Sequence, residues 1–374
     1  MAKTRPIART TFAKELVKTL QRHTYLSSAN PIRIGLKALF RKMRKLLLFT
    51  LLMICFVLDS NSQECKNPNL FSATVNGKQG FIDRAGKIIV PIVYDELGEF
   101  AEGLIPFMQN KKWGYIDVDG KTIIKPQFAW AGSFSEGLAR VEAKFYVGYI
   151  GRNGKFVISP QFDRFFSNYG FHEGLALIEK DYKRGFVDRK GRIKIEAKYH
   201  WANDFSEGLA SVKLDDKWGF VDRQGKVKIP ISFDEAGSFY EGLAPVEKDG
   251  KHFFIDASGR LAVQPESDYP DEFFGGIFVN GRVRWKLNDN AWGVIDRTGQ
   301  WVISPTFEAL WNFSDNLARF QKGEKYGYVD KSGIIQISAE FDFAVDFCGG
   351  LAYATKDEVH GYINKKGKFI WVDK

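Results

Sequence analysis

The stretch Lys112–Phe128, KWGYIDVDGKTIIKPQF, decides the fold because the chain repeats it. A close copy, KWGFVDRQGKVKIPISF, occupies Lys217–Phe233, and looser copies lie between and beyond. The glycine of the phrase recurs at intervals of 34, 34, 37, 34, 74, 34 and 34 residues, and the longest interval holds a degenerate copy, Lys251–Asp256. A period near 34 residues that occurs about nine times predicts a repeat array. These glycines are Gly80, Gly114, Gly148, Gly185, Gly219, Gly293, Gly327 and Gly361.

The local chemistry of the phrase predicts strands. Segments such as GYID and GFVD place aromatic and β-branched residues in tandem, and an Asp-x-x-Gly turn follows, as at Asp188 and Gly191. A second strand then runs up to a proline, such as Pro126 or Pro160, which we expect to end the pairing because it lacks a donor. A glycine and a proline in almost every unit exclude the helical repeats that share this period.

A third strand follows a recurring F-x-E-G-L step, for example Phe134–Leu138, and reads apolar and polar in alternation. Each unit is therefore predicted to hold three short strands. About nine units between Leu70 and Trp371 give roughly 27 strands. The fold class is all-β.

This combination of motifs resembles the WG-repeat proteins, named for the Trp-Gly pair seen at Trp113, Trp218 and Trp292. The resemblance covers essentially Leu70 to the C-terminus, because KWGYID, the Asp-x-x-Gly turn and the F-x-E-G-L step recur together. It implies an architecture and no general enzymatic activity.

Two arrangements of the units are open: an open curved β-solenoid and a closed, propeller-like ring. Propeller blades usually have four strands and 40 or more residues, which favours the open solenoid. In an open array Cys65 and Cys348 would lie far beyond the ~7 Å Cα separation that a disulfide allows. An intramolecular bond between them would indicate the ring, so their pairing stays open at this point.

The excess of basic residues lies at the N-terminal end of the chain. Up to Lys45 there are 12 Lys and Arg and one acidic residue, whereas the rest has 42 basic and 44 acidic residues. The repeated body is therefore near neutral, which argues against a nucleic-acid partner.

Residues 43–62 have the order of a secretory signal peptide: Arg44 and Lys45, the apolar stretch Leu46–Leu58, then small residues at Ser60 and Ser62. We predict cleavage after Ser62, a short lead over 63–69 and the repeat array over 70–374. The protein would be exported to the periplasm, the cell envelope or the medium. The alternative is a membrane anchor at Leu46–Leu58, although thirteen helical residues span only about 20 Å. Residues 1–42 are an upstream extension, read as a mis-assigned start before Met43 or as a cytoplasmic or organelle-type extension.

The recurring acids are better read as turn caps than as catalytic groups, because a catalytic pair is normally unique in a chain. The WG tryptophans are expected to fill the core between neighbouring units. We expect no cofactor and no metal, since no Cys/His cluster or phosphate-binding loop is present in the sequence.

Irregular segments are the candidate binding surface, because insertions in repeat arrays emerge as loops, often on the binding face. Three extra residues enter around Phe166 and Tyr169, and six more enter the stretch IFVNGRVRWKLNDN. The residues predicted to bind are Phe166, Tyr169, Arg282, Arg284, Trp285 and Lys286, and Trp130, Trp201 and Trp311 could add to them. The function we expect is that of an exported, non-enzymatic binding or scaffold protein with a protein or glycan partner, and with a membrane only through the signal segment. The alternatives are an envelope hydrolase with a site between repeats and a purely structural envelope protein.

Overall fold

The computed structural model describes residues 69–164, 170–267 and 276–373, and within these ranges the chain forms nine antiparallel sheets. The sheets follow one another along the chain and pack face against face as the blades of a nine-bladed β-propeller. We number the blades 1 to 9 from the N-terminus.

The strands are 34 in number within the described ranges. Blades 1 to 3 contain β1 (Phe71–Val75), β2 (Lys78–Ile82), β3 (Ile88–Tyr94); β4 (Glu96–Leu97), β5 (Ile105–Gln109), β6 (Lys112–Ile116), β7 (Thr122–Phe128); β8 (Trp130–Ser135), β9 (Leu138–Ala143), β10 (Tyr146–Gly151) and β11 (Phe156–Phe162). Blades 4 to 6 contain β12 (Phe171–His172), β13 (Leu175–Lys180), β14 (Lys183–Asp188), β15 (Ile193–Tyr199); β16 (Trp201–Ala202), β17 (Leu209–Leu214), β18 (Lys217–Asp222), β19 (Val227–Phe233); β20 (Glu235–Ala236), β21 (Leu243–Lys248), β22 (Lys251–Asp256) and β23 (Leu261–Val263). Blades 7 to 9 contain β24 (Arg282–Asn288), β25 (Ala291–Asp296), β26 (Trp301–Phe307); β27 (Ala309–Ser314), β28 (Leu317–Lys322), β29 (Lys325–Asp330), β30 (Ile335–Phe341); β31 (Phe343–Ala344), β32 (Leu351–Lys356), β33 (Val359–Asn364) and β34 (Phe369–Val372).

The first and last blades pack against each other, so the array is a closed ring. Phe71 of blade 1 meets Tyr362 of blade 9 edge to face, with ring centroids 5.4 Å apart. The amide of Thr74 donates to the Asp373 carboxylate at 3.3 Å. The open solenoid that we favoured from the sequence is therefore wrong, and the alternative ring is confirmed.

Cys348 is disulfide-bonded. It lies in the turn before β32 of the last blade, where its amide and carbonyl pair with Leu351. The only other cysteines of the sequence, Cys55 and Cys65, lie outside the described residues.

Seven of the nine sheets in the described ranges have four strands, one more than predicted. The additional strand lies before the F-x-E-G-L step or overlaps its start, and it has two residues in blades 2, 4, 5, 6 and 9 and six residues in blades 3 and 8. We call the four strands of a blade a, b, c and d in chain order, and they pair in that order. In the five blades where it is shortest, strand a was missed because two residues are too few for an alternating pattern.

The WG glycine is required by a close backbone crossing. In blade 2 strand c pairs with strand d at Trp113 with Phe128 and at Tyr115 with Ile124, so strand d carries two additional residues in a bulge. A Cβ on Gly114 would lie 2.4 Å from the Ile124 carbonyl oxygen. Any other residue would therefore push strand d away.

Proline does not end strand d, contrary to our prediction. Pro126 lies inside β7, within the bulge, and β7 is an edge strand. A proline is tolerated there because neither the bulge nor the open edge needs its missing N–H.

Blade 6 shows what happens when that glycine is replaced. Phe253 occupies the position, and the following strand β23 has three residues instead of the seven in β19 of blade 5. Pairing ends after Phe254 with Val263. The side chain at 253 thus leaves no room for the bulged crossing, and the chain departs early toward blade 7.

The core lies between blades and is built by recurring aromatic pairs. The aromatic residue after the WG glycine packs edge to face against the F-x-E-G-L phenylalanine of the next blade, with centroids 4.6 to 5.0 Å apart. Such pairs add about 0.5–1.5 kcal/mol each beyond the area they bury. They are Tyr115–Phe134, Tyr149–Phe171, Phe186–Phe205, Phe220–Phe239, Phe254–Phe278 and Tyr328–Phe347.

The antiparallel order gives the propeller two faces. The a–b turns and the c–d turns emerge at one end of the sheets, which we call the turn face. The b–c hairpins and the d-to-a connections between blades emerge at the other end, which we call the hairpin face. Hydrogen bonds confirm both groupings: Arg152 of a c–d turn donates to the Glu102 carbonyl of an a–b turn at 2.6 Å, and the Asp181 amide of a b–c hairpin donates to the Asp163 carboxylate of a connection at 2.8 Å.

Candidate functional site

The Asp-x-x-Gly acids cap the c–d turns on the turn face. In blade 5 the Asp222 carboxylate accepts from the amides of Gln224 and Lys226 at 3.0 and 2.9 Å, while Gly225 takes a φ of 79°. The same pattern recurs in blades 1, 2, 4, 6, 7 and 8. The structural role predicted for these aspartates is confirmed.

The F-x-E-G-L acids link neighbouring blades. Glu136 and Gly137 both have positive φ, 51° and 79°, which defines a two-residue hairpin turn of type I′. The Glu136 carboxylate reaches the next blade and accepts from the Gly174 amide at 2.9 and 3.1 Å. We call this series the carboxylate ladder; its steps are Glu102 to Gly137, Glu136 to Gly174, Glu173 to Gly208, Glu207 to Gly242, Glu241 to Gly281 and Asp315 to Gly350.

Cations complete the ladder on the turn face. Arg297 donates to the carbonyl and the carboxylate of Glu241 at 2.7 and 3.0 Å. Burial acts to raise the pKa of Glu241, but the donors from Gly281, Arg297 and Asn280 outweigh it and hold the pKa below its usual value. The turn face thus uses its acids to hold the ring together.

The WG tryptophans lie in the core, as predicted. Trp218 and Trp292 are buried, and Trp113 packs against the core between blades 2 and 3. In the residues that the structure describes, no group of three or more His, Cys, Asp or Glu side chains is placed to hold a metal ion. No helix within those ranges has the length and apolarity needed to cross a membrane.

The segment IFVNGRVRWKLNDN holds only one of the six additional residues, which corrects our placement of the insertion. Asn280 and Gly281 occupy the a–b turn with φ of 52° and 71°, and β24 is a b strand with a register shift between Lys286 and Asn288. The other five additional residues of this unit precede the segment. They lie between β23 and Gly276, partly outside the described residues.

The residues predicted in β24 divide between two sides of the strand. Trp285 is only 4% exposed, packs on Phe254 and donates from Nε1 to the Ser267 carbonyl at 3.1 Å, so its indole is a core side chain. Arg284 donates to the Leu310 carbonyl at 3.2 Å, and Lys286 lies 3.5 Å from Asp289. Arg282 donates to the Lys331 carbonyl. A role for this strand in binding stays a prediction, without Trp285 as an exposed contact.

Phe166 and Tyr169 lie outside the described residues. The connection that contains them leaves β11 and enters β12, and the longer connection leaves β23 toward blade 7. Both connections begin where a strand d ends, which is at the hairpin face.

Two exposed aromatic side chains occupy hairpin tips on that face, and our sequence analysis missed them. Phe145 in blade 3 is 81% exposed with a φ of 77°, and Tyr182 in blade 4 is 90% exposed with a φ of 61°. A bulky residue rarely adopts a positive φ, and doing so costs about 1 kcal/mol or more. The sequence does contain a signal for them, because only blades 3 and 4 have an aromatic residue at the second position of the b–c hairpin. In blades 1 to 9 this position holds Gly77, Lys111, Phe145, Tyr182, Asp216, Gly250, Asn290, Glu324 and Glu358.

Trp201 extends this surface into blade 5. Its ring is 45% exposed, and the Arg184 guanidinium lies 3.5 Å from the ring centroid. Arg184 also donates to the Ala202 carbonyl at 3.2 Å and lies 3.7 Å from Glu179. Burial raises the pKa of Glu179, and Arg184 partly offsets that effect. We call Phe145, Tyr146, Tyr182 and Trp201 the aromatic patch.

Trp130 and Trp311, which the sequence suggested as additional contacts, are half-buried and lie beside arginines. The guanidinium carbon of Arg140 is 5.3 Å from the Trp130 ring centroid, and that of Arg319 is 4.0 Å from the Trp311 centroid. Arg319 also lies 3.3 Å from the Asp346 carboxylate of the next blade, and burial raises the pKa of Asp346 against the effect of Arg319. This ion pair, in which Arg319 is the more buried partner, joins blades 8 and 9.

The sequence matches the family described as WG containing repeat over residues 80–113, 113–143, 148–183, 185–218, 218–251, 292–326 and 326–359. The chain is a WG-repeat protein. The segment between the fifth and sixth matches contains Phe253 and the long connection, the two departures that the structure explains. No curated protein matches this WG-repeat chain in sequence.

Solved structures resemble the WG-repeat protein in fold. A crystal structure of a eukaryotic initiation factor has a TM-score of 0.55 at 11% identity, covering 81% of this chain and 95% of that one. BamB from Moraxella catarrhalis has a TM-score of 0.41 at 9% identity, with 70% and 93% covered. AztD from Citrobacter koseri has a TM-score of 0.40 at 11% identity, with 72% and 94% covered. At these identities the likeness concerns the fold alone.

Proposed function

We propose that this WG-repeat protein is an exported, non-enzymatic propeller that binds a protein or glycan partner through its hairpin face. The observation that carries the proposal is that the departures from the repeat pattern lie on that face. The aromatic tips of blades 3 and 4 and the two lengthened connections all emerge there. The turn face, in contrast, is occupied by backbone caps and the carboxylate ladder.

The departures also coincide along the ring. Phe145 and Tyr182 stand in blades 3 and 4, and the connection between these two blades is lengthened by three residues. Large exposed aromatic side chains on loops held by a rigid scaffold are typical of binding sites. The disulfide at Cys348 supports export, because disulfides persist in oxidising compartments.

The test compares the two faces in one experiment. The full chain, a hairpin-face variant with Phe145→Ser and Trp201→Ser, and a turn-face control with Tyr240→Ser are immobilised and exposed to envelope extract. Tyr240 suits the control because it is an exposed aromatic residue beside the a–b turn of blade 6.

We expect a component that the unmodified chain and the control retain and the hairpin-face variant loses. Equal retention by all three chains, or turnover of an envelope substrate that depends on one acidic residue, would overturn the proposal.

A further inference from the structure

The aromatic patch has the shape of a projection rather than a cleft. Phe145 and Tyr182 stand at the tips of two-residue turns and are more than four-fifths exposed, so no neighbouring side chain encloses them. A projecting aromatic ring loses its water only if the partner supplies a concave apolar pocket. Folded proteins supply such pockets, and aromatic anchors that fill them dominate protein interfaces.

The tips are also held in place. Asp181 and Tyr182 form a type I′ turn, and the Asp181 amide donates to the Asp163 carboxylate at 2.8 Å. In blade 5 the Asp215 amide donates to His200 Nδ1 at 3.0 Å. Binding through rigid turns costs little conformational entropy, because the side chains that make contact are already presented.

The charges around the tips are mixed. Cations and anions both flank the aromatic patch on the hairpin face of blades 3 to 5. Anionic bilayers attract clusters of lysine and arginine, and acids beside the tips oppose that attraction. Alternating charges around an aromatic centre match the polar rim of a protein interface. The flanking charged residues include Lys144, Asp163, Arg164, Lys180, Asp181, Lys183, Asp215, Asp216 and Lys217.

Glycan binding fits the tips less well. Sugar rings stack on aromatic faces but also require hydrogen-bonding groups for their hydroxyls. Phe145 has no polar atom, and Lys144 and Phe145 form a turn that projects beyond strands b and c.

We infer that Phe145 and Tyr182 are anchor residues that insert into apolar pockets of a partner protein with little net charge at its contact surface. This inference rests on the proposed function and narrows its partner to a protein. Trp201, stacked on Arg184, contributes a flatter contact beside the anchors.

The test is photo-crosslinking in the exporting cell. A benzophenone amino acid replaces Phe145, Tyr182 or, as the control, Tyr240 in the full chain. We expect one protein adduct of the same mass at positions 145 and 182 and none at 240. The adduct protein, identified by mass spectrometry and purified, should bind the Phe145→Ser and Tyr182→Ser chains at least about tenfold more weakly than the unmodified chain.

Binding of the unmodified chain and of the two serine variants to other ligands is measured in parallel. The ligands are vesicles of phosphatidylethanolamine and phosphatidylglycerol, and isolated envelope polysaccharide. Polysaccharide binding that the two serine substitutions abolish, without a protein adduct, overturns the inference and leaves the proposed function standing. Vesicle binding that they abolish, without a protein adduct, overturns both. Adducts that contain only a second copy of this chain overturn it too. The proposed function itself is overturned if no adduct forms and the hairpin-face variant retains the same components of the extract as the turn-face control.

Discussion

The carboxylate ladder gives a prediction whose magnitude follows from the geometry. Glu136→Ala removes the acceptor of the Gly174 amide, which lies 2.9 and 3.1 Å from the two carboxylate oxygens. A hydrogen bond to a charged group contributes about 1.5–3 kcal/mol, and partial exposure of Glu136 reduces this to about 1–2 kcal/mol. We expect the free energy of unfolding to fall by that amount.

A second substitution at the same position separates the bond from the backbone strain. Glu136 has a φ of 51°, a conformation that costs a non-glycine residue about 1 kcal/mol or more. Glu136→Gly loses the same hydrogen bond but relieves the backbone strain. The greater freedom of glycine in the unfolded chain reduces this gain in stability by about 0.5–1 kcal/mol. The glycine variant should therefore lie between the alanine variant and the unmodified protein.

The assay is urea unfolding followed by tryptophan fluorescence, with Glu196→Ala as the control on an exposed position of β15. Glu136→Gln, which keeps a neutral acceptor, should lose roughly half of what Glu136→Ala loses. An alanine variant as stable as the unmodified protein would refute the ladder. Equal losses for alanine and glycine would refute the strain argument.

Three further predictions concern the ring and its core. Non-reducing peptide mapping of the exported chain should show Cys348 linked to Cys65, and reduction should lower the free energy of unfolding by about 2–4 kcal/mol; a free Cys348 thiol would contradict this. The pKa of Glu241 in the folded protein lies below its usual value, so ionised Glu241 stabilises the fold above its unfolded-state pKa of about 4, and this stabilisation is lost as the pH falls through the folded-state pKa. The midpoint of urea unfolding should therefore fall between pH 5 and pH 2, and it should fall less in Arg297→Ala. Trp285→Ala should cost about 3–5 kcal/mol in urea unfolding because the indole is buried against Phe254, and a stable variant would contradict its place in the core.

Strands and turns were predictable because their chemistry is local. Asp222 and Gly225 form their turn from residues within one half-repeat, and the period of 34 residues repeats that chemistry along the chain. In five blades strand a escaped detection since its two residues carry no pattern of their own. Proline was misjudged because Pro126 lies in a bulge that only the pairing of Trp113 with Phe128 reveals.

Ring closure was not predictable in the same way. It depends on the small rotation between neighbouring sheets, which packing such as Tyr149 on Phe171 sets and no short motif encodes. The contact of Phe71 with Tyr362 joins ends of the array that the sequence separates by almost the whole repeat region.

Only part of the candidate site could be predicted from the sequence. Spacing identified the lengthened connections but placed all six additional residues of one unit in the stretch that contains β24, although five of them precede it. Phe145 and Tyr182 stand out once the hairpin positions of all repeats are compared. That both fall on one face follows only from the antiparallel order of the strands.

The central claim is that the aromatic patch serves binding at the expense of stability. Tyr182→Gly tests it most directly, because it creates the Asp-Gly turn that blade 6 already has at Asp249 and Gly250, with φ of 54° and 73°. The measurement is the free energy of unfolding of this variant together with its affinity for the cross-linked partner. We predict stability raised by up to about 1 kcal/mol and affinity lowered at least about tenfold. A variant that is less stable and still binds would contradict the account.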